Sequence, residues 1–400
     1  MEEALTTEFA GLVLPNPFLL ASGPPTRTAP MLERAFAAGW GGAVIKTVPA
    51  ESLMRRGLTR EPRPLLAAAR SKGRPIGMGN LSITGDWRLE EWAAALPGLK
   101  AKYPDRVVLA SVGAEMIQGD WQAMARQAEM AGFDGIELDL SCTHATLNRE
   151  GHVIVGEDPE LVARVLRWVT AVANLPIIPK LPATVRDWPT LLHACREAGA
   201  AGVASINSLS AIIGVDLETM EPLPSVRGQS VYCGYSGPGL KPIALRVVSQ
   251  IHKVGVLPVS GIGGITTWQD AAEFLLMGAS CVQVCTAVMW SGYRIVKEMI
   301  QGLATYLSDK EMSSCRDLVG RANALVTDSV FRLRPDEGLV ARITERCTQC
   351  GRCVIACWDG GHQAILAQEG QPPVVDPRRC AGCGLCLQVC PVDAIVLRSS

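Results

Sequence analysis

From about residue 17 to residue 290, short apolar runs alternate with longer stretches in which apolar positions recur every three or four residues. The short runs are FLLAS (18–22), GAVIKT (42–47), VVLASV (107–112), GIELDL (135–140), PIIPKL (176–181), GVASIN (202–207), LPVSGI (257–262) and CVQVC (281–285). They have the length and branched-residue content of buried strands. The intervening stretches, such as WQAMARQAEMAG, DPELVARVLRWVTAVA and ALRVVSQIHKVG, carry the helical period, and most end in Gly or Ala-Gly, as helix C-caps do. Eight strands, each followed by helix, predict an α/β fold, a (β/α)8 TIM barrel over residues 1–305. A doubly wound sheet is the alternative, but the eight repeats run without a break in strand order. Residues 306–340 read as a helical connector, and 341–400 as a separate cysteine-rich domain.

In such barrels chemistry collects where strands end and the following loops begin. That rule selects Lys46 and Thr47, Cys142, Lys180, Asn207 and Ser208, the run Gly261-Ile262-Gly263-Gly264, and Cys285 with Thr286. Glycines after the seventh strand let backbone N–H groups approach a phosphate, and the loop after the eighth shares that site in many barrels. Lys46 and Lys180 end the second and fifth strands, where two cations can converge on one mouth. Such a pair suits a flavin, whose reduced ring is anionic.

The tail reads CTQCGRCVIACW (347–358) and CAGCGLCLQVCP (380–391), two copies of C-x2-C-x2-C-x3-C. Three thiolates on a tight turn hold three corners of a cubane, and the fourth ligand comes from the other copy. One [4Fe–4S] cluster is therefore expected on Cys347, Cys350, Cys353 and Cys390, and the other on Cys380, Cys383, Cys386 and Cys357. This is a bacterial ferredoxin-like arrangement of two clusters. Zinc, the alternative, favours paired C-x2-C knuckles over triplets. The first copy has Trp358 where the second has Pro391.

Charge and composition narrow the partners. The 400 residues are 48% hydrophobic and 19% charged, with net charge −1, which supplies no field for nucleic acid or an acidic membrane surface. No apolar run reaches the roughly 18 residues of a membrane span. MEEALTTEF is too polar for a signal peptide. Of 14 cysteines, eight lie in the tail, a clustering that favours metal over disulfides and a reducing cytoplasm. Neither GMGN (77–80) nor GWGG (39–42) has the strand-turn-helix setting of a dinucleotide fingerprint, so no NAD site is expected in this chain. Cys195, Cys281 and Cys315 read as apolar filler, and His144 and His152 as solvated.

Taken in order, ASGPPT, FAAGWGGAVIKT, LSCTH, INSLSAI, GYSGPGLKPIALR, SGIGGITTWQDAAEFLLMGA and VQVCTAV resemble the dihydropyrimidine dehydrogenase family. The likeness is to the FMN-carrying, pyrimidine-reducing subunit of bacterial NAD-dependent members, which are class 1 dihydroorotate dehydrogenase-like barrels with the same eight-cysteine tail. It implies FMN held by Ser22, Lys46, Thr47, Lys180, Gly237, the 261–264 loop, Cys285 and Thr286. It implies substrate contacts at Asn80, Asp139, Asn207 and Ser208, with Cys142 as catalytic acid/base. In such a reduction a hydride reaches one carbon of a polarised C=C bond, and its neighbour takes a proton from the opposite side. A thiol of ordinary pKa, about 8.5, is largely protonated at neutral pH and suits that role. The resemblance further implies an NAD(P)H- and FAD-binding iron–sulfur partner subunit as electron donor, in a hetero-oligomer built on a homodimer, and a small heterocyclic substrate.

Three positions depart from the family pattern. Asp139 stands where the pattern has Asn, Thr143 where it has Pro, and Ser82 where it usually has an acid. An amide donates and accepts, matching the alternating edge of uracil, whereas a carboxylate only accepts. Asp139 therefore favours a substrate with an additional N–H or a cationic group, such as a modified pyrimidine or another unsaturated cyclic amide or heterocycle. The dehydrogenating direction on a saturated ring is a second reading, and a non-catalytic electron carrier a third. Residues 143–157 are expected to form a lid.

Overall fold

The structure is a computed structural model that describes residues 2–55, 65–71, 73–141, 149–150, 153–333 and 338–399. Cys142, Thr143, His144 and His152 lie outside the described residues, as does most of the expected lid. The chain forms two compact units, Met1–Val326 and Thr327–Ser400.

The first unit is a closed parallel barrel of eight strands: β1 (Phe18–Leu20), β2 (Gly42–Val44), β3 (Val107–Gly113), β4 (Gly135–Asp139), β5 (Ile177–Leu181), β6 (Val203–Ser205), β7 (Val259–Ile262) and β8 (Ala279–Val284). Each pairs with the next, and β8 returns to β1 through Val284 opposite Leu20. All eight apolar runs named from the sequence form these strands. Helices α1 (Ala29–Ala38), α2 (Leu89–Lys102), α3 (Gln118–Met130), α4 (Pro159–Thr170), α5 (Trp188–Glu197), α6 (Lys241–Val254), α7 (Trp268–Leu276) and α8 (Ile295–Asp309) follow them in turn. Helix α4 shows how the sequence sets an element. Asp158 accepts from the backbone N–H groups of Glu160 and Leu161 at 2.8 and 3.0 Å, and Pro159 takes a position that needs no N–H. Such a cap contributes about 1 kcal/mol. The face Leu161, Val162, Val165, Leu166 and Val169 is then buried in the layer between strands and helices.

Strand side chains alternate between that outer layer and the barrel interior. The interior floor is apolar: Leu19, Val44, Leu109, Ile178, Ala204 and Cys281 pack on Phe9 and Leu14. Those two come from an N-terminal hairpin, Thr7–Phe9 with Leu12–Leu14, that plugs one end. Toward the C-terminal ends of the strands the interior turns polar, with Ser111, Glu137, Lys180 and Gln283 all buried.

A four-stranded antiparallel sheet, ordered 209–211, 233–236, 74–80, 66–71, is made from the loops after β2 and β6. Periodicity did not reveal it, because its longest strands, LAAARS and RPIGMGN, lack the run of branched apolar residues that marks the barrel strands. The GMGN stretch lies in it, and its glycines serve close packing: a Cβ on Gly77 would lie 2.3 Å from the Tyr235 ring, and one on Gly79 would lie 2.7 Å from Cys233 Sγ. The segment read as connector contributes the last turn of α8 and then short turns, from which Cys315, Leu318 and Asn323 are buried within the first unit.

In the second unit Leu339–Ile343 pairs antiparallel with Ile395–Ser399, and Ile365–Gln368 with Gln371–Val375. Each cysteine motif turns into a short helix, Arg352–Asp359 or Leu385–Val389. Among the described residues no helix is long and apolar enough to cross a membrane.

Candidate active site and cluster sites

A cleft enclosing about 1050 Å³, the open solvent at its mouth included, lies at the C-terminal ends of the barrel strands. It is lined by Ser22, Lys46, Thr47, Asn80, Ser82, Asp139, Lys180, Asn207, Ser208, Gly237, Ile262, Gly263, Gly264, Cys285 and Thr286. Thus the sequence-selected residues of the described barrel converge on one cavity, apart from Gly261. That glycine is not among the lining residues, and a Cβ there would lie 2.5 Å from the Phe274 ring. Its lack of a side chain lets α7 pack on β7.

Backbone geometry explains the other glycines. Gly237, Gly263 and Gly264 have φ of 100°, 128° and 79°, a region that L side chains avoid. A Cβ on Gly264 would also lie 2.7 Å from Lys241 N and 3.0 Å from Gly237 O. Lys241 opens α6 and binds Asp270 Oδ1 and Glu273 Oε2 at 2.6 and 2.8 Å, while Asp270 accepts from Thr266 N, Thr266 Oγ1 and Thr267 N. The loop is therefore clamped between the starts of two helices. Burial pushes the Asp270 carboxyl up, but the hydrogen bonds from Lys241 and Thr266 win and hold it below the usual range.

Lys46 and Lys180 are both buried. Lys46 Nζ donates to Ile83 O at 3.3 Å, and Lys180 Nζ lies 3.3 Å from Glu137 Oε1. Glu137 is wholly buried and accepts from Gln283 Nε2 at 3.0 Å through its other oxygen. Gln283 lines the cleft, and its Oε1 is buried and has no partner. Leaving such an acceptor unpaired costs about 1–3 kcal/mol. Sequence reading passed over Glu137 and Gln283. The available signal was a charged and a polar residue inside otherwise apolar strands, each two positions before a selected residue and so on the same inward face.

Beside them Thr47 Oγ1 lies 3.1 Å from Ser22 Oγ, 3.0 Å from Ser111 Oγ and 3.4 Å from Asp139 Oδ2. Asn207 Nδ2 donates to Asp139 Oδ1 at 3.3 Å and to Ser141 Oγ at 3.1 Å, and Asn207 Oδ1 accepts from Ser208 N at 2.9 Å. One proton assignment satisfies this wall: both serines donate to Thr47, and Thr47 and Asn207 donate to the Asp139 carboxylate. Asn80 Nδ2 donates to Gly234 O at 2.7 Å, which fixes the antiparallel sheet beside Ser208. Ser141 Oγ in turn donates to Lys180 O at 3.0 Å, anchoring the chain one residue before Cys142. Cys285 is half-buried, and desolvation pushes its thiol up to about 11 against the pull of Lys46 and Lys180.

The residues present fit a flavin nucleotide on three counts: the positive-φ glycines, two buried cations and an orphaned buried acceptor. In the second unit Cys347, Cys350, Cys353 and Cys390 line a cavity of about 320 Å³. Cys357, Cys380, Cys383 and Cys386 line another of about 380 Å³. The two motifs thus exchange their fourth cysteines. Among the described residues no three His, Cys, Asp or Glu side chains converge on a point suited to one ion, and the thiols stand apart around the two cavities. Backbone N–H groups of Gln349, Ala364, Ala341 and Ala394 donate to Cys347, Cys357, Cys380 and Cys390 at 3.2–3.4 Å, as is usual around clusters. The turns need left-handed residues at Gln349, Gly351, Gly382 and Gly384.

Barrel, cleft and paired thiolate cavities define a barrel oxidoreductase with an iron–sulfur domain. Comparison with known proteins agrees. Residues 4–307 match the family model described as dihydroorotate dehydrogenase, and residues 341–397 match that of the 4Fe-4S dicluster domain. The NAD-dependent dihydropyrimidine dehydrogenase subunit PreA of Escherichia coli is 38% identical over 98% of this chain and 95% of its own length. The chloroplastic dihydropyrimidine dehydrogenase (NADP(+)) of Arabidopsis thaliana is 33% identical over 80% of this chain and 77% of its own length. The catalytic subunit of dihydroorotate dehydrogenase B (NAD(+)) of Pyrococcus furiosus is 36% identical over 80% and 99%. The chain belongs to the dihydroorotate dehydrogenase family, carries a 4Fe-4S dicluster domain, and is an oxidoreductase of the kind that acts on CH–CH donors. That membership implies a flavin and iron–sulfur clusters.

Proposed function

We propose that the chain reduces the C=C bond of a pyrimidine, uracil or thymine, or of a related unsaturated cyclic amide, with FMN in the barrel cleft and two [4Fe–4S] clusters in the tail. The observation that carries this reading is the convergence of Lys46, Lys180, Asn80, Asp139, Asn207 and Ser208 on one cleft walled by positive-φ glycines. When bound, FMN supplies the exchange between one-electron carriers and a hydride on carbon. Lys46 and Lys180 offset its negative charge, and Gly237, Gly263 and Gly264 leave room for its close approach to backbone. Ser22, Thr47, Cys285 and Thr286 complete that wall.

Asn80, Asp139, Asn207 and Ser208 orient the substrate ring. Cys142 delivers the proton to the carbon that receives no hydride. Support for its place is the anchoring of Ser141 to Asn207 and to Lys180 O. Electrons enter through the clusters from an NAD(P)H- and FAD-binding iron–sulfur subunit, in keeping with the name of the Escherichia coli relative, a subunit of an NAD-dependent enzyme. Domain limits of 1–305, 306–340 and 341–400, a homodimer within the hetero-oligomer and a cytoplasmic location belong to the same reading. Asp139 and Ser82 favour a second version, in which the same machinery serves a non-pyrimidine heterocycle or runs in the dehydrogenating direction.

The test is anaerobic. Purified protein is reduced chemically, then mixed with uracil, thymine and a panel of other unsaturated heterocycles while flavin absorbance is followed. Reoxidation by one of these rings, slowed about 100-fold or more in Cys142→Ala, is the expected result. Reoxidation by none of them, or an unimpaired Cys142→Ala, would sink the proposal.

A further inference from the structure

At the base of the cleft Lys180 on β5 and Gln283 on β8 line the wall, and Glu137 on β4 lies buried behind them. Both oxygens of Glu137 are engaged, one by Lys180 Nζ at 3.3 Å and one by Gln283 Nε2 at 3.0 Å. A carboxylate facing an ammonium can only accept, so the Gln283 amide must turn its NH2 toward Glu137. The reverse orientation would set a carbonyl oxygen against a carboxylate. Gln283 Oε1 is consequently directed away from Glu137; the residue lines the cleft, and its Oε1 is buried without a partner.

We propose that Glu137 is a positioning residue that polarises this floor, holding Gln283 with its amide nitrogen inward and its carbonyl oxygen as the acceptor for an N–H or O–H of the bound flavin. The inference rests on the flavin reading above and goes beyond it, because it assigns a hydrogen-bond polarity to two side chains that the sequence did not single out. The donors available on FMN are the ring N3–H and the ribityl hydroxyls. Each can be removed singly, as N3-methyl-FMN or as 2′-, 3′- or 4′-deoxyribityl FMN.

The experiment measures the dissociation constants of FMN and these four analogues for the full-length protein, by fluorescence quenching, in wild type, Gln283→Met and Glu137→Gln. Wild type is expected to bind one analogue roughly tenfold more weakly than FMN, the loss typical of one hydrogen bond. Gln283→Met should erase that gap for the same analogue and leave the other three unchanged. Glu137→Gln should narrow it, since an amide at 137 lets Gln283 turn either way. Should Gln283→Met fail to fold by circular dichroism, Glu137→Gln carries the test alone. A gap for every analogue that persists unchanged in both variants overturns the proposal. A wild type that binds FMN but discriminates against none of the analogues overturns it too, and leaves the flavin reading standing. A wild type that binds no flavin overturns both.

Discussion

Asp139 Oδ1 accepts a hydrogen bond from Asn207 Nδ2 at 3.3 Å, tying the end of β4 to the loop after β6 across the mouth of the barrel. Asn207 gives its second N–H to Ser141 and its carbonyl oxygen to Ser208 N, so its amide is committed in one orientation. The polarity of this wall follows from a single carboxylate.

Asp139→Asn therefore changes what the mouth offers to a ring. An amide can donate to a substrate carbonyl where the carboxylate cannot. In the anaerobic reoxidation assay, uracil and thymine are expected to react about tenfold faster with Asp139→Asn than with wild type, the worth of one buried hydrogen bond. A ring bearing an additional N–H or a cationic group should show the opposite order. Fast reaction of wild type with uracil, slowed in the variant, would return the unmodified pyrimidine as substrate.

The crossed cysteines predict which substitutions share a phenotype. Cys390 lines the cavity of Cys347, Cys350 and Cys353, although it sits in the other motif. Cys390→Ser and Cys353→Ser should each cost about half of the bound iron and remove the same electron paramagnetic resonance signal. Cys386→Ser should remove the other signal. Loss of one common signal in Cys390→Ser and Cys386→Ser would mean that each motif builds its own cluster.

Gly264→Ala tests the clamp on the glycine loop. Its φ of 79° disfavours a side chain by about 1–2 kcal/mol, and the new Cβ would press on Lys241 N. A lower melting temperature is expected, together with FMN binding weakened at least tenfold in fluorescence titration. Gly98→Ala, on a helix where a Cβ meets open space, should leave FMN binding unchanged.

Asp270 gives the fold an acid limit. Its folded pKa lies below the ordinary carboxylate value of 3.8, so the stability it contributes is fully present above about pH 4 and is lost as pH falls through the lower folded value. Asp270→Asn should destabilise the barrel by about 2 kcal/mol at pH 7, typical of hydrogen bonds to a charged group. In urea titrations the difference between wild type and variant should shrink from pH 7 to pH 3. A difference independent of pH would assign the effect to packing instead.

Much of the architecture was legible in the chain because it depends on local period and spacing. Eight apolar runs read as strands are the eight barrel strands, and the strand-end rule led to Lys46, Lys180, Asn207 and Gly263–Gly264, which the folded chain gathers into one cleft. The cysteine spacing likewise implied an exchange of fourth ligands, and the cavities of the second unit have that composition. Gly261 shows the limit of the rule: it stands in the same glycine run, yet its missing Cβ serves the contact with Phe274. The sheet over residues 66–80 and 209–236 was hidden because its longest strands lack a branched apolar run, and Gly77 and Gly79 stand where packing against Tyr235 and Cys233 leaves no room for a Cβ.

By itself, then, the sequence determined the strand and helix alternation, the residues at the strand ends and the two thiolate motifs, since each is written in periods of a few residues. Tertiary structure alone decided how the polar side chains face one another. Glu137 and Gln283 are 146 positions apart, and only closure of the barrel brings them within a hydrogen bond. That contact sets which amide atom of Gln283 turns toward Glu137 and which away, and no local pattern encodes the partner of a buried amide.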